Sequence, residues 1–524
     1  MEHEVRRLEG LGQLGFGFQV CTREERGNRD EAELFVDPEP RELFVGARRL
    51  DVYLRESGLG WVIKLAGLLG ELDLSLLTRA YQPTGRKAFH PRTMLGLIVY
   101  GILGRQWSLR ELEALARRDV GAWWLCGGHQ PDHSTIGKFI ELHAEVLSEE
   151  FFVALVRHLA VRLRLGPTVV AGDGTVIEAA ASCYRLLRAE AAQQVAEAAQ
   201  TEAAVEPGNA QLKRKAELAA AAAQLGAKRV ARRWAYSGGD AAAVKVSIAE
   251  PEAVYQRSKD GTNRLSYKPV VLASADGLIV GQRVEPSSER AAVAPALGQH
   301  MAVFGCAPPT LLLDGGFASN TLWLALVEAG IDLLCPSGRT ETEGDWQKRS
   351  SRPGKFSKRV FRYDSERDVY HCPAGRELIF ATAQRDAVGR RYREYLGRQC
   401  EGCPLRSQCT DAVRGRKLKR YEGEELRELM AEVLSHPAAR AKYRRRQAIV
   451  EPCFAELRER QGLRRFHRRG LNAVRAEFAL HCIAFNLKRA VGHSLLVVVV
   501  LLPSGRFSTA PRTLFSAALY ESAA

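Results

Sequence analysis

Residues 168–177 read TVVAGDGTVI: an apolar run, a carboxylate held between two glycines, and a second apolar run. Thr168 to Ala171 and Thr175 to Ile177 carry the signature of strand, so Asp173 stands within an opening strand or in the turn of a tight hairpin, because Asp-Gly after an apolar run is a common turn. Two further acids sit in comparable places. Residues 311–317, LLLDGGF, deliver Asp314 at the end of an apolar run, and residues 449–454, IVEPCF, place Glu451 on a helix. Each has an ordinary reading beside it: Asp314-Gly315-Gly316 as a strand-ending loop, and Glu451 before Pro452 as the acidic start of a helix. Carboxylates that converged from three separate elements would repel one another and ionise together only against a cation. A hard ion such as Mg²⁺ prefers oxygen ligands and keeps positions open for water and phosphate. Two such ions clamp an in-line displacement at phosphorus, which points to metal-assisted cutting or transfer of a phosphodiester.

Working outward from Asp173, Tyr267 to Ala273 and Leu278 to Val284 predict a hairpin around Ala275-Asp276-Gly277. A helix over 288–304, a buried strand Thr310 to Leu313, a helix over 320–329 and a strand Ile331 to Cys335 follow. That order, with a helical region behind it, describes an α/β layer around a sheet of mixed strand direction over 166–490. Two segments interrupt it. Residues 185–235 are rich in Ala, Glu, Gln and Arg with a break at Pro207-Gly208-Asn209, a helical hairpin carrying Lys213, Arg214, Lys215, Lys228, Arg229, Arg232 and Arg233. Residues 338–425 are polar, basic and Cys-rich. Ahead of the sheet, 50–165 has helical periodicity, with Met94, Leu97, Ile98 and Ile102 on one face and a Ser108/Glu111 capping box. Its short helices, with Arg105, Arg110, Arg117, Arg118 and Lys138 around them, fit either a helix-turn-helix-like DNA reader or a plain bundle with a solvated basic face. Residues 1–49 read as an irregular leader and 491–524 as a tail.

The chain has 524 residues with 76 Lys and Arg against 61 Asp and Glu, a net charge of +15 that favours a polyanionic partner. The apolar run Leu495 to Leu502 is far short of the roughly 20 residues needed to cross a bilayer, and MEHEVRRLEG lacks the apolar core of a signal peptide. A cytoplasmic protein without membrane partners is expected, its cysteines reduced, buried or metal-bound. Cys372, Cys400, Cys403 and Cys409 offer the spacing of a four-thiolate site for structural Zn²⁺, or four reduced thiols. Cys126, Cys183, Cys306, Cys335, Cys453 and Cys482 read as apolar filler. Beyond Glu451, Arg458, Arg460, Arg464, Arg465, Arg468 and Arg469 are placed to bind phosphates. Trp323 and Trp346 read as core packing or as platforms for an unpaired base.

Three acids in this order, with their flanking residues, resemble the DDE transposases of bacterial insertion sequences. The group named after insertion sequence 1182 is especially similar. Asp173 in AGDGTVIEAAAS, Asp314 in LLLDGGFASNTLW and Glu451 in YRRRQAIVEPCFAELRERQGLRRFHRRG match its three acids. Tyr443, Arg446 and Arg458 approximate the tyrosine, arginine and basic residue set around the third acid, the last being Arg where these enzymes carry Lys. YQPTGRKAFHPRTMLGLIVYGILGRQWSL through PDHSTIGKF resembles the amino-terminal domain of the same group. The resemblance implies an RNase H-like catalytic fold and DNA strand cleavage followed by strand transfer. It implies two Mg²⁺ or Mn²⁺ ions at Asp173, Asp314 and Glu451, and phosphate contacts from Arg446 and Arg458. Its partners would be terminal inverted repeats and target DNA, bound by a homodimer in the bacterial nucleoid. A nuclease that cuts without joining, or a DNA-binding protein with a decayed site, are the other readings open here.

Overall fold

A computed structural model describes residues 34–36, 40–82, 87–237, 244–257, 261–337, 355–386, 389 and 391–500. The expected leader falls mostly, and the tail partly, outside them; Trp346 lies outside altogether. The amino-terminal part is helical: α1 (Gly60–Glu71), α2 (Pro91–Leu103), α3 (Leu109–Arg118), α4 (Val120–Cys126), α5 (His133–Leu142) and α6 (Glu150–Arg162). Helix α2 buries Met94, Leu97, Ile98 and Ile102, and also Leu95 and Val99, so it is apolar nearly all round and sits inside the bundle. Helix α3 starts on the expected capping box, Glu111 N–H donating to Ser108 Oγ at 3.4 Å and Ser108 N–H to Glu111 Oε2 at 3.0 Å. Helix α4 was not anticipated. Asp119 starts it by accepting from the N–H groups of Gly121 (2.8 Å) and Ala122 (3.0 Å) and from the Tyr100 hydroxyl (2.8 Å).

The sheet begins at β1 (Val170–Gly174). Between it and the next long strand stand α7 (Ala189–Val205) and α8 (Ala210–Ser237), joined at Pro207-Gly208-Asn209. Ala192, Ala196 and Ala199 bury against Ala216, Ala219, Ala222 and Ala223, small residues that let two helices approach closely without a large core. Then come β2 (Asn263–Ser274), β3 (Ile279–Glu285), α9 (Glu289–Phe304), β4 (Thr310–Leu312), α10 (Asn320–Glu328) and β5 (Asp332–Leu334). The strand order is β3-β2-β1-β4-β5. Strand β2 runs antiparallel to β3 and β1, while β4 is parallel to both β1 and β5. This is a mixed α/β layer of the expected kind. Trp323 is buried on α10, which leaves the core-packing reading and removes the base-stacking one.

The outer edge of β3 is closed by side chains. Asn486 accepts from Ile279 N–H and donates to Ile279 C=O, both at 2.8 Å, and Gln299 accepts from Gln282 N–H at 2.9 Å. An edge satisfied this way cannot recruit another strand. A second, five-stranded antiparallel sheet follows: β6 (Arg362–Asp364), β7 (Val369–His371), β8 (Glu377–Arg385), β9 (Arg391–Leu396) and β10 (Lys417–Tyr421). Helices α11 (Glu424–Ser435), α12 (Pro437–Ala455) and α13 (Leu471–Val500) complete the chain. Val474, Phe478, Cys482 and Phe485 of α13 are buried, as their helical spacing predicts. Helix α13 packs on β3 and on α1, α2 and α6, binding the amino-terminal helices to the sheet. Trp107 stacks on His467 with ring centroids 3.8 Å apart and meets His481 edge-on at 4.7 Å.

Candidate active site

Asp173 lies inside β1, not in a turn: it pairs with Val271, and Gly174 pairs with Val270. The tight-hairpin reading of residues 168–177 is thereby corrected, and the flanking glycines have a packing reason instead. A Cβ on Gly172 would stand 2.5 Å from Leu313 Cδ2 and 2.8 Å from Leu272 Cδ2. On Gly174 it would stand 2.8 Å from Glu289 Cγ and 2.9 Å from its Cδ. Only a strand with no side chains at these two positions fits between its neighbours. Asp173 Oδ1 accepts from Gly174 N–H at 2.9 Å, and Oδ2 lies 3.7 Å from Arg446 Nη1.

Parallel pairing of Leu311 with Val170 and Leu312 with Ala171, carried two residues on, sets Asp314 beside Asp173 at the carboxyl ends of β4 and β1. The Leu313 side chain against Gly172 fits that register. Asp314 caps the short turn Gly315–Phe317 by accepting from Gly316 N–H at 2.8 Å, and its carbonyl accepts from the Cys335 thiol at 3.2 Å. Burial pushes that thiol up to about 12.

Helix α12 lies across β1 and β2. Arg446 Nη1 donates to Gly172 C=O at 3.2 Å, and Tyr443 is half-buried one turn earlier. Burial raises the Tyr443 phenol; Arg446 opposes the rise, and Asp314 and Cys335 add to it. Glu451 is on the same helix, well inside its span, because α12 begins at Pro437; the helix-start reading of Glu451-Pro452 is corrected. Its neighbours Val450 and Cys453 are buried, while Glu451 itself is exposed and makes no hydrogen bond or ion pair among the described residues. Asp173, Asp314, Tyr443 and Arg446 are thus brought together, and Glu451 stands on the same helix without being tied to them.

Arg458 lies in the π-helical turn after α12 and donates from Nη1 to Thr175 Oγ1 at 3.3 Å, while its buried Nε has no partner. The other arginines are more occupied than their sequence suggests. Arg465 donates to the carbonyls of Ala179 (3.1 Å) and Ala180 (2.7 Å), Arg460 lies 3.7 Å from Glu456, and Arg464 pairs with Glu459. Burial lowers the Arg468 guanidinium, with Glu477 opposing. Arg469 is exposed.

The residue that sequence reasoning missed is Glu289. It opens α9 beside Ser288, whose hydroxyl accepts from Ala291 N–H at 3.3 Å, so in sequence it looks like an ordinary acid at a helix start. In space it faces the site. Burial raises its carboxyl; Lys268, with Nζ 3.7 Å away, opposes the rise, and Asp314 and Asp173 add to it. Arg290 beside it donates to Gly316 C=O at 3.0 Å, holding the Asp314 loop to α9.

Cys372, Cys400, Cys403 and Cys409 line one cavity of the second sheet, none in a disulfide. Arg376 N–H donates to Cys372 Sγ at 3.3 Å and Arg416 N–H to Cys400 Sγ at 3.5 Å. Burial raises the Cys409 thiol, Arg416 opposes, and the other three sulfurs raise it further. Of the remaining cysteines, Cys126, Cys335, Cys453 and Cys482 are buried as apolar filler should be, whereas Cys306 is exposed. Among the described residues no group of three or more His, Cys, Asp or Glu side chains is arranged to hold a metal ion. By donor chemistry the carboxylates suit Mg²⁺ or Mn²⁺, and the sulfurs suit Zn²⁺. Among the same residues no helix is long and apolar enough to cross a membrane.

Two stretches match models of known families. Residues 63–142, covering α2 to α5 and most of α1, match the Transposase domain (DUF772). Residues 371–491, covering the four cysteines, Tyr443, Arg446, Glu451 and the arginine-rich segment, match the Transposase DDE domain. Asp173 and Asp314 lie outside both stretches. No curated protein matches the chain. With one transposase segment ahead of the sheet and another behind it, the chain is a transposase of the DDE type.

Proposed function

We propose that the chain cuts DNA at the ends of its own mobile element and joins them to target DNA, with Asp173, Asp314 and Glu451 as the acidic triad of an RNase H-like domain of the insertion sequence 1182 kind. The observation that carries the reading is the placement of Asp173 and Asp314 side by side on parallel strands, under the helix that bears Tyr443, Arg446 and Glu451. Two Mg²⁺ or Mn²⁺ ions held by the triad would activate the attacking oxygen and stabilise the leaving one. Arg446 neutralises Asp173 in the free protein and turns to a phosphate oxygen when DNA arrives. The unpaired Arg458 Nε offers a second donor, and the Tyr443 hydroxyl, held neutral by burial, donates to a backbone oxygen rather than acting as a base. Joining two ends requires two sites, so the working form is a homodimer on DNA in the nucleoid. The four cysteines hold one structural Zn²⁺ that fastens the second sheet.

Asp173→Asn, Asp314→Asn and Glu451→Gln are each expected to abolish both cleavage and strand transfer while leaving binding to terminal inverted repeats intact. Wild-type-like joining of labelled element ends to a target plasmid by any one of them overturns the triad. Cleavage by the native protein with no joined product would instead identify a nuclease.

A further inference from the structure

The acid at the start of α9 is unexplained by the triad. Its carboxyl carbon occupies the space that a side chain at Gly174 would fill, one residue from Asp173. A glycine there admits Glu289 to the strand end, where Asp173 and Asp314 meet it from the other side. The facing cations are few. Lys268 stands 3.7 Å from Glu289 and Arg446 3.7 Å from Asp173, both longer than a hydrogen-bonded ion pair. The neighbouring Arg290 is directed to Gly316 C=O. Three carboxylates against two loosely placed cations leave one negative charge uncompensated in a half-buried place, a cost that a divalent cation removes.

We propose that Glu289 is a fourth acid of this site, a positioning residue that strengthens its hold on a divalent cation, resting on the reading of Asp173 and Asp314 given above. Ser288 and Arg290 fix its helix, so the carboxylate is held in place before an ion arrives. The test is Mn²⁺ binding by the full chain without DNA, read by electron paramagnetic resonance, for the native protein, Asp173→Asn, Glu289→Gln and Glu289→Asp. Glu289→Gln is expected to weaken Mn²⁺ binding about tenfold or more. Glu289→Asp should recover part of the loss, and the metal-free melting temperature of Glu289→Gln should be no lower than native because a repulsion is gone. If Asp173→Asn weakens Mn²⁺ and Glu289→Gln does not, this inference falls and the triad stands. If the native protein itself fails to bind Mn²⁺, the reading of the triad falls and this inference with it.

Discussion

At Gly172 two leucine side chains leave no room for a methyl group, and substitution to Ala must push β4 or β2 aside. Overpacking of this kind costs roughly 1–3 kcal/mol, so Gly172→Ala is expected to lower the urea midpoint by that much and to reduce strand transfer by shifting Asp173. The sequence VVAGDGT shows the acid plainly but cannot say which way it is used. Asp-Gly reads equally well as a turn until pairing with Val270 and Val271 makes it strand. Glu289 was illegible for the same reason in reverse: its local surroundings explain it fully as a helix start, and only the three-dimensional approach to Gly174 gives it another purpose. The arginines after Glu451 were legible as charge and not as partners, because carbonyls of Ala179 and Ala180 that occupy Arg465 are remote in sequence.

Among the elements, the two capped helices of the amino-terminal part separate a small effect from a large one. Ser108 is an exposed cap, and Ser108→Ala should cost about 1 kcal/mol. Asp119 satisfies two backbone donors and the half-buried Tyr100 hydroxyl, so Asp119→Ala should cost more, roughly 2–3 kcal/mol, measurable in the same denaturation series. Capping chemistry is written locally, which is why the Ser108 box could be read from sequence. Helix α4, only seven residues long with two tryptophans, carries too little periodicity to be read that way. The helical hairpin α7–α8 was legible for the opposite reason, since a long Ala-rich run broken once by Pro-Gly-Asn has few other solutions.

For the whole molecule, three buried histidines set the acid limit of stability. Burial lowers His143 and His300 to about 4 and His481 to about 3, all below the usual 6.5. Their folded values lie below the unfolded one, so the stability they contribute is present above pH 6.5 and is lost as the pH falls towards 4. Each should add a slope of roughly 1 kcal/mol per pH unit across that window, and His300→Gln should flatten the profile measured by urea unfolding at pH 7 and pH 5. Glu477 runs the other way. Burial raises its carboxyl from 4.5 to about 7, so it erodes stability as the pH climbs through that interval, and Glu477→Gln should relieve the erosion.

The indole of Trp107 lies flat on the imidazole of His467, a few residues past the arginines that follow the third acid. What precedes the sheet is therefore a buttress for the cutting end of the molecule rather than a detachable head. Recombining this amino-terminal half with the catalytic half of another mobile element would leave that ring pair mismatched, so swapping halves to redirect insertion should fail unless the partner of Trp107 travels with it.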